Sequence, residues 1–475
     1  MPKRIVLLLL LTAFGIQQLA AQKSSILDAY ILLGLDSNLA LHQRNFDLSR
    51  AQLDLKRAQS LFYPQAGFSS QYTVANGGRS QSIPIGDLLN GVYSTLNQLT
   101  SSNKFPQVAN QSIQFLPNDF HDTKMEVSLP ILDIDLQHNK TVSRETINVR
   151  RADRDVYRRD LVRSIRQAYY QYLQTGKAVE IYTVSLSLVK ENRRVSEKFV
   201  EQQMATREAV FRAQAQVSQV QSSLIESGND RRNAAAYFNF LLNRPLETPI
   251  VTDSMLMEET PPSETGDPVS VALPGAPTTG NPATAAGGAS PAGVTASREE
   301  FARLKSYRQI LESNLDYDRN YLVPKLSAFY DVGYQGFGFH FNGTQFYQLA
   351  GVNLVWPLFK AGDNKYKIQQ ARIDIEAVSD QYRDLTQQLT LEQQTTVNNY
   401  QSAIEALQAY ADEASSAREA YRLVERRFDE GQALQVDLID ARNQYTNAEI
   451  RYSLGRLTVL NRAADLERVT AAYKF

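Results

Sequence analysis

Four stretches of the chain alternate apolar and polar residues at the two-residue period of a half-buried strand. The first sets Ala66, Phe68, Tyr72 and Val74 on one face, with Ser70 as the exception. The second carries Met125, Val127, Leu129 and Ile131 against Lys124, Glu126 and Ser128. The third places Leu326, Ala328, Tyr330, Val332 and Tyr334 opposite Lys325, Ser327, Asp331 and Gln335. The fourth offers Phe346, Ala350, Val352, Leu354 and Trp356 against Gly351 and Asn353. Elsewhere the period lengthens to three and four. From Asp363 to Glu430 there is neither Gly nor Pro, and one seam runs through Val378, Tyr382, Leu385, Leu389, Val397, Tyr400, Leu407, Tyr410, Tyr421, Val424 and Phe428. At about 1.5 Å per residue such a helix reaches on the order of 100 Å, several times the ordinary length. From Ile131 to Arg244 there is no Pro, and only Gly176 and Gly228 interrupt.

Three collinear similarities read as an internal duplication. Leu61-Phe62-Tyr63-Pro64 answers to Tyr321-Leu322-Val323-Pro324, and Val127-Ser128-Leu129-Pro130 to Leu354-Val355-Trp356-Pro357. The stretch from Ala205 to Ala213 answers to that from Ala433 to Ala441. Each half then predicts helix, strand, strand, very long helix, helix. Between the halves, residues 244–297 turn to Pro, Gly, Ala, Thr and Ser, a composition that buries no core and reads as a linker. A polar excursion, roughly Asn76 to Phe120, separates the first two strands and reads as an exposed loop.

Lys3 and Arg4 precede an apolar run from Ile5 to Leu11, and Ala20-Ala21 precede Gln22. That order predicts a secretory signal cleaved after Ala21. The run is too short to cross a bilayer as a helix, which takes about 20 residues, and no longer apolar run follows. Cysteine is absent, which excludes a disulfide framework, thiol chemistry and a lipid-bearing cysteine. A formal net charge of -1 gives no broad attraction to nucleic acid. Arg144, Arg150, Arg151, Arg154, Arg158, Arg159, Arg163 and Arg166 alternate with Glu145, Asp153, Asp155 and Asp160, the pattern of a salt-bridged helix face. His42, His121, His138 and His340 stand apart, and no phosphate loop or nucleophile motif occurs. No enzyme activity, cofactor or metal is expected.

Alternation alone also fits an ordinary half-buried sheet. The export signal, the aromatic crowd (Tyr334, Phe337, Phe339, Phe341, Phe346, Tyr347, Trp356) and strands of about 11 residues point to membrane strands instead. Four strands cannot close a barrel, and open edges in hydrocarbon cost several kcal/mol per unpaired group. Two copies would give a filled eight-stranded barrel, whereas three give twelve strands and a lumen. A homotrimer is therefore expected. The rival class is a periplasmic adaptor or coiled-coil structural protein, although the helical seam keeps no strict heptad.

The duplicated unit, the signal and the segment Arg426-Arg427-Phe428-Asp429-Glu430-Gly431-Gln432-Ala433-Leu434-Gln435-Val436-Asp437-Leu438 together resemble the TolC family of outer-membrane efflux and secretion channels. The resemblance implies a homotrimer, with a twelve-stranded outer-membrane β-barrel continuous with a long periplasmic α-helical barrel. It divides the chain into a signal peptide (1–21), N-terminal helices (22–63), a first barrel hairpin with a long exposed loop (64–133) and a first periplasmic helical hairpin (134–243). After the linker (244–297) come a helix (298–323), a second barrel hairpin (324–360) and a second helical hairpin (361–475). Implied partners are a periplasmic adaptor, an inner-membrane transporter and outer-membrane lipid, in a tripartite efflux or type I secretion system for small molecules or proteins. By the resemblance, Gln203, Met204, Ala205 and Thr206 form one adaptor-docking tip and Gly431, Gln432, Ala433 and Leu434 the other. Gln203 stands where the family usually has Gly. Asp437 and Asp440 match positions that ring the periplasmic aperture, with Ala209 and Arg212 in the first half; both aspartates also suit a solvated helix start. Phe428 replaces a Tyr of some members, so it offers no hydroxyl latch. The implied lipid-facing set is Phe68, Tyr72, Val74, Met125, Val127, Leu129, Tyr330, Val332, Tyr334, Val352, Leu354 and Trp356.

Overall fold

The computed structural model describes residues 26–116, 118–252 and 298–473. The expected signal peptide and most of the 244–297 linker lie outside the described residues. Helices α1 (Ile26–Ser37) and α2 (Leu39–Ser60) lead into strand β1 (Gln65–Thr73). Then come β2 (Ser80–Ile83), α3 (Ile85–Leu99), β3 (Gln111–Gln114) and β4 (Phe120–Leu132). Two long helices follow, α4 (Ile134–Glu201) and α5 (Arg207–Leu241). After the linker the order is α6 (Glu299–Arg319), β5 (Lys325–Phe337), β6 (Phe346–Val355), α7 (Asp363–Asp429) and α8 (Gln435–Thr470). No helix among the described residues is long and apolar enough to cross a membrane.

The chain divides into two compact units. One comprises Ala51–Thr146 and Gln309–Ile375 and holds an antiparallel sheet in the order β1-β4-β5-β6. β1 and β6 are its edges, and among the described residues each pairs on one side only. Directly opposed residues of antiparallel strands share a face, so the register sorts the side chains. Phe68, Met125 and Val332 form one row, Val127 and Tyr330 another, and Ala328 faces Val352. The reverse face carries Ser69, Lys124 and Tyr347, then Glu126 and Asp331. There the Lys124 ammonium lies 2.7 Å from Asp331 and 3.5 Å from Glu126. The sheet is thus apolar on one side and charged on the other. Helices join it at one end, while the excursion between β1 and β4 and the turn between β5 and β6 leave from the opposite end.

Reading the excursion as a loop undercounts it. β2 pairs with β3, and α3 lies between them in the chain. Its apolar residues stand among Asn, Ser, Gly and Gln, and a composition-led reading favours a turn there over an amphipathic helix.

The other unit comprises the described residues of Met1–Arg50, Ile147–Arg308 and Glu376–Phe475. Its core gathers α1, α4, α5 and α8 around Tyr30, Tyr169 and Phe238, with the Tyr30 and Phe238 rings 5.1 Å apart edge to face. Gly34 permits that approach, because a Cβ there would come within 2.3 Å of Ile165. Beside the core, Arg298 and Arg468 share two carboxylates. Arg298 reaches Glu300 at 2.7 Å and Glu392 at 3.0 Å, and Arg468 reaches Glu392 at 2.6 Å, Glu300 at 3.6 Å and, besides these, Asp160 at 2.9 Å. The Arg298 side chain is 3% exposed. Charges this buried hold only while every partner is present. Burial alone would raise the Glu300 carboxyl, but the Arg298 hydrogen bond and the Arg298 and Arg468 charges hold it below its ordinary 4.5.

Replacing Arg298 by Met keeps the aliphatic stem but strands the carboxylates; a loss of about 3 kcal/mol is expected in urea titrations. Because the folded pKa of Glu300 is depressed, its contribution is complete above about 4.5 and disappears as pH falls through the folded value. The melting-temperature gap between the natural protein and Glu300→Gln should accordingly narrow from pH 7 to pH 3.

Candidate functional site

Two short turns reverse the long helices, and their backbone geometry is the same. In the first, Gln203 N–H donates to the Val200 carbonyl at 3.0 Å and Met204 N–H to the Phe199 carbonyl at 2.8 Å. In the second, Gly431 N–H donates to Phe428 at 2.9 Å and Gln432 N–H to Arg427 at 2.7 Å. This pair of bonds is the Schellman stop, which needs a left-handed residue just past the helix. Gln203 (φ 59°) and Gly431 (φ 73°) supply it. Gln203 thus adopts the glycine conformation without being glycine, at a steric cost of about 1 kcal/mol. Thr206 and Leu434 then lie extended and open α5 and α8. Met204 and Leu434 project into solvent, 72% and 68% exposed.

Asp437 and Asp440 occupy the first turns of α8, and both are exposed. The Asp437 carboxylate accepts the Leu434 N–H at 3.2 Å, and Asp440 accepts from the Gln444 amide at 2.8 Å. Asp437 therefore caps the helix, as the helix-start account of these aspartates requires. At the matching turn of α5, Arg212 pairs with Glu208 at 2.5 Å, which neutralises that side.

Above the turns the structure adds residues that sequence reasoning missed. Tyr421 and Tyr445 stack at 5.9 Å with rings nearly parallel, and the Arg442 guanidinium lies 4.9 Å from one ring and 5.4 Å from the other. Burial, then a hydrogen bond to Glu425, push the Tyr421 hydroxyl up to about 12. The available signal was the three-residue step from Arg442 to Tyr445, facing a seam tyrosine. Phe428 packs on Phe199 at 6.1 Å. A cleft of about 190 Å³ opens beside it, lined by Leu188, Val195, Tyr421, Phe428, Leu438 and Arg442.

On the sheet, Phe68, Tyr72, Met125, Val127, Leu129, Tyr330, Val332, Tyr334, Val352 and Leu354 share the apolar face. Val74 follows the end of β1, and Trp356 follows β6 with its indole N–H donating to the Leu322 carbonyl at 2.9 Å. Among the described residues no group of histidine, aspartate and glutamate is placed to hold a metal.

Residues 294–472 match the family model of outer membrane efflux proteins. That match covers 179 of the 475 residues. No curated protein matches the sequence. The fold is that of solved outer-membrane channels. The OprN channel superposes with a TM-score of 0.69 over 94% of this chain and 90% of its own, at 15% identity. The CmeC outer membrane channel of Campylobacter jejuni gives 0.70 over 94% and 85%, at 13% identity. The open-state MtrE channel of Neisseria gonorrhoeae gives 0.69 over 94% and 88%, at 16% identity. The match and the fold agree with the expected outer-membrane efflux channel extending into the periplasm.

The two turns give a direct comparison. Gly431→Gln is expected to destabilise the unit by about 1 kcal/mol. Gln203→Gly should stabilise it by only about 0.5 kcal/mol, because glycine also gains freedom in the unfolded chain. Urea midpoints of the two variants check both signs.

Proposed function

We propose that this efflux channel works as a homotrimer whose three sheets close into a twelve-stranded outer-membrane barrel. The carrying observation is the sheet itself, apolar on one face, charged on the other, with β1 and β6 unpaired outward. Joining β6 of one copy to β1 of the next satisfies both edges at once, turns Phe68, Met125, Val332 and Val352 to lipid, and wets Lys124, Glu126 and Asp331 in the lumen. The long helices continue the duct into the periplasm. Internal duplication is supported by geometry: the Schellman residues Gln203 and Gly431, and likewise Asn243 and Ala471, share a 228-residue spacing (431 less 203, 471 less 243).

At the two helical turns, Gln203 to Thr206 and Gly431 to Leu434 form the surface met by a periplasmic adaptor coupled to an inner-membrane transporter. The exposed Met204 and Leu434 supply its apolar anchors. Asp437 and Asp440 from three copies contribute six carboxylates to the aperture. Helix capping by Asp437 does not compete with that role, since a capping carboxylate keeps its charge. The substrate class, small molecules or proteins, is chosen by the transporter.

Two measurements test this reading. Unheated protein from outer-membrane fractions should migrate as an SDS-resistant species of roughly three chain masses that collapses on boiling; a monomer extractable without detergent removes the basis of the proposal. In planar bilayers, Asp437→Asn combined with Asp440→Asn should abolish cation preference, and unchanged selectivity removes the aspartate ring while leaving the duct.

A further inference from the structure

Helix α3 presents an apolar stripe toward solvent, with Leu88, Val92 and Leu99 70%, 55% and 78% exposed. Its other side is fastened to the returning chain. Asn90 donates to the Val108 carbonyl at 3.0 Å and accepts the Val108 N–H at 2.8 Å. Asn97 makes the same pair with Phe105, at 2.7 and 3.1 Å. Asn110 accepts the Asp87 N–H at 3.1 Å and donates to the Asp87 carboxylate at 3.0 Å. Gly86 lies so close to the Val108 carbonyl that a Cβ would come within 2.4 Å. The helix is therefore pinned on its polar side and cannot roll the stripe inward. A fixed, exposed row of Leu and Val is a contact surface awaiting its occupant.

We infer that the occupant is the same stripe on sister copies, so that three α3 helices meet across the loop end of the barrel. This rests on the trimeric reading above. Two observations select a sister copy. First, the excursion that carries α3 leaves from β1, an edge strand. Closure against β6 of the next copy brings neighbouring excursions to within a few strand widths of about 4.8 Å. Second, α3 contains no Lys or Arg, and its sole charged residue is Asp87. A helix that lies on a leaflet of anionic headgroups carries basic residues along its polar face; α3 has none. Leu against Leu and Val around a rotation axis is self-complementary.

The chain has no cysteine, so single cysteines report contacts without background. Val92→Cys, on the stripe, and Ser94→Cys, on the far side, are placed in the full chain, oxidised in outer membranes and run on non-reducing gels. The mass of the detergent-extracted oligomer is measured in parallel. Expected are covalently linked chain pairs in more than half of the Val92→Cys protein and in less than a tenth of the Ser94→Cys protein. A trimer in which Val92→Cys yields no linked pair, or in which a photo-crosslinker on Val92→Cys labels only glycolipid, overturns the inference and leaves the trimer standing. Absence of any oligomer overturns both.

Discussion

Two rows of backbone N–H and C=O groups, one on β1 and one on β6, govern the molecule, because nothing among the described residues pairs with them. Hydrocarbon charges several kcal/mol for each such group, and water leaves them as templates for aggregation. Neither environment suits the sheet alone, since one face is apolar and the other holds Lys124, Glu126 and Asp331. A closed ring of identical sheets answers every demand together: edges paired, apolar face in lipid, charges in water. The remaining architecture is compatible with that ring. Helices α2, α4, α6 and α7 all adjoin the sheet at one end, so the opposite end is free for the excursion and the short turn.

The second constraint is where helices stop. α4 and α7 run 68 and 67 residues, and α5 and α8 run 35 and 36. Helices of this length have no internal reason to end together. They end where a residue turns left-handed and the preceding carbonyls are satisfied by the Schellman bonds, at Gln203, Asn243, Gly431 and Ala471. Only one of the four is glycine. At Asn243 the neighbouring Asn239 amide donates to the Leu246 and Thr248 carbonyls and secures the departing chain.

Much of this was legible in the sequence because it rests on period. Two-residue alternation located all four long strands and sorted their faces, and long stretches without Pro and with little or no Gly located the long helices. Gly431 announced its turn. Gln203 did not, since its left-handed state is imposed by the bonds to Phe199 and Val200 rather than by its own preference. Helix α3 was hidden because Asn90 and Asn97, which read as loop formers, act here as clasps on Val108 and Phe105. The Arg298, Glu300, Glu392 and Arg468 network was likewise invisible, because its members lie on or just before three helices far apart along the chain and meet only on folding.

The helical unit is not packed evenly, and the gradient follows the task. Around Tyr30, Tyr169 and Phe238 the core is broad and aromatic, and the arginine–carboxylate network adjoins it. Toward the turns it narrows to Val189, Val217 and Val220, and beyond them the hairpins touch through Phe199 with Phe428 and Gln435 with Ser196. The cleft beside Phe428 interrupts even that contact. Within the second hairpin, by contrast, Tyr421, Arg442 and Tyr445 bind α7 to α8. Local stability tracks buried contact, so each hairpin stays whole while the contact between hairpins is the first to give. Near the turns, therefore, the side chains place the weakest seam between the hairpins and not within the second.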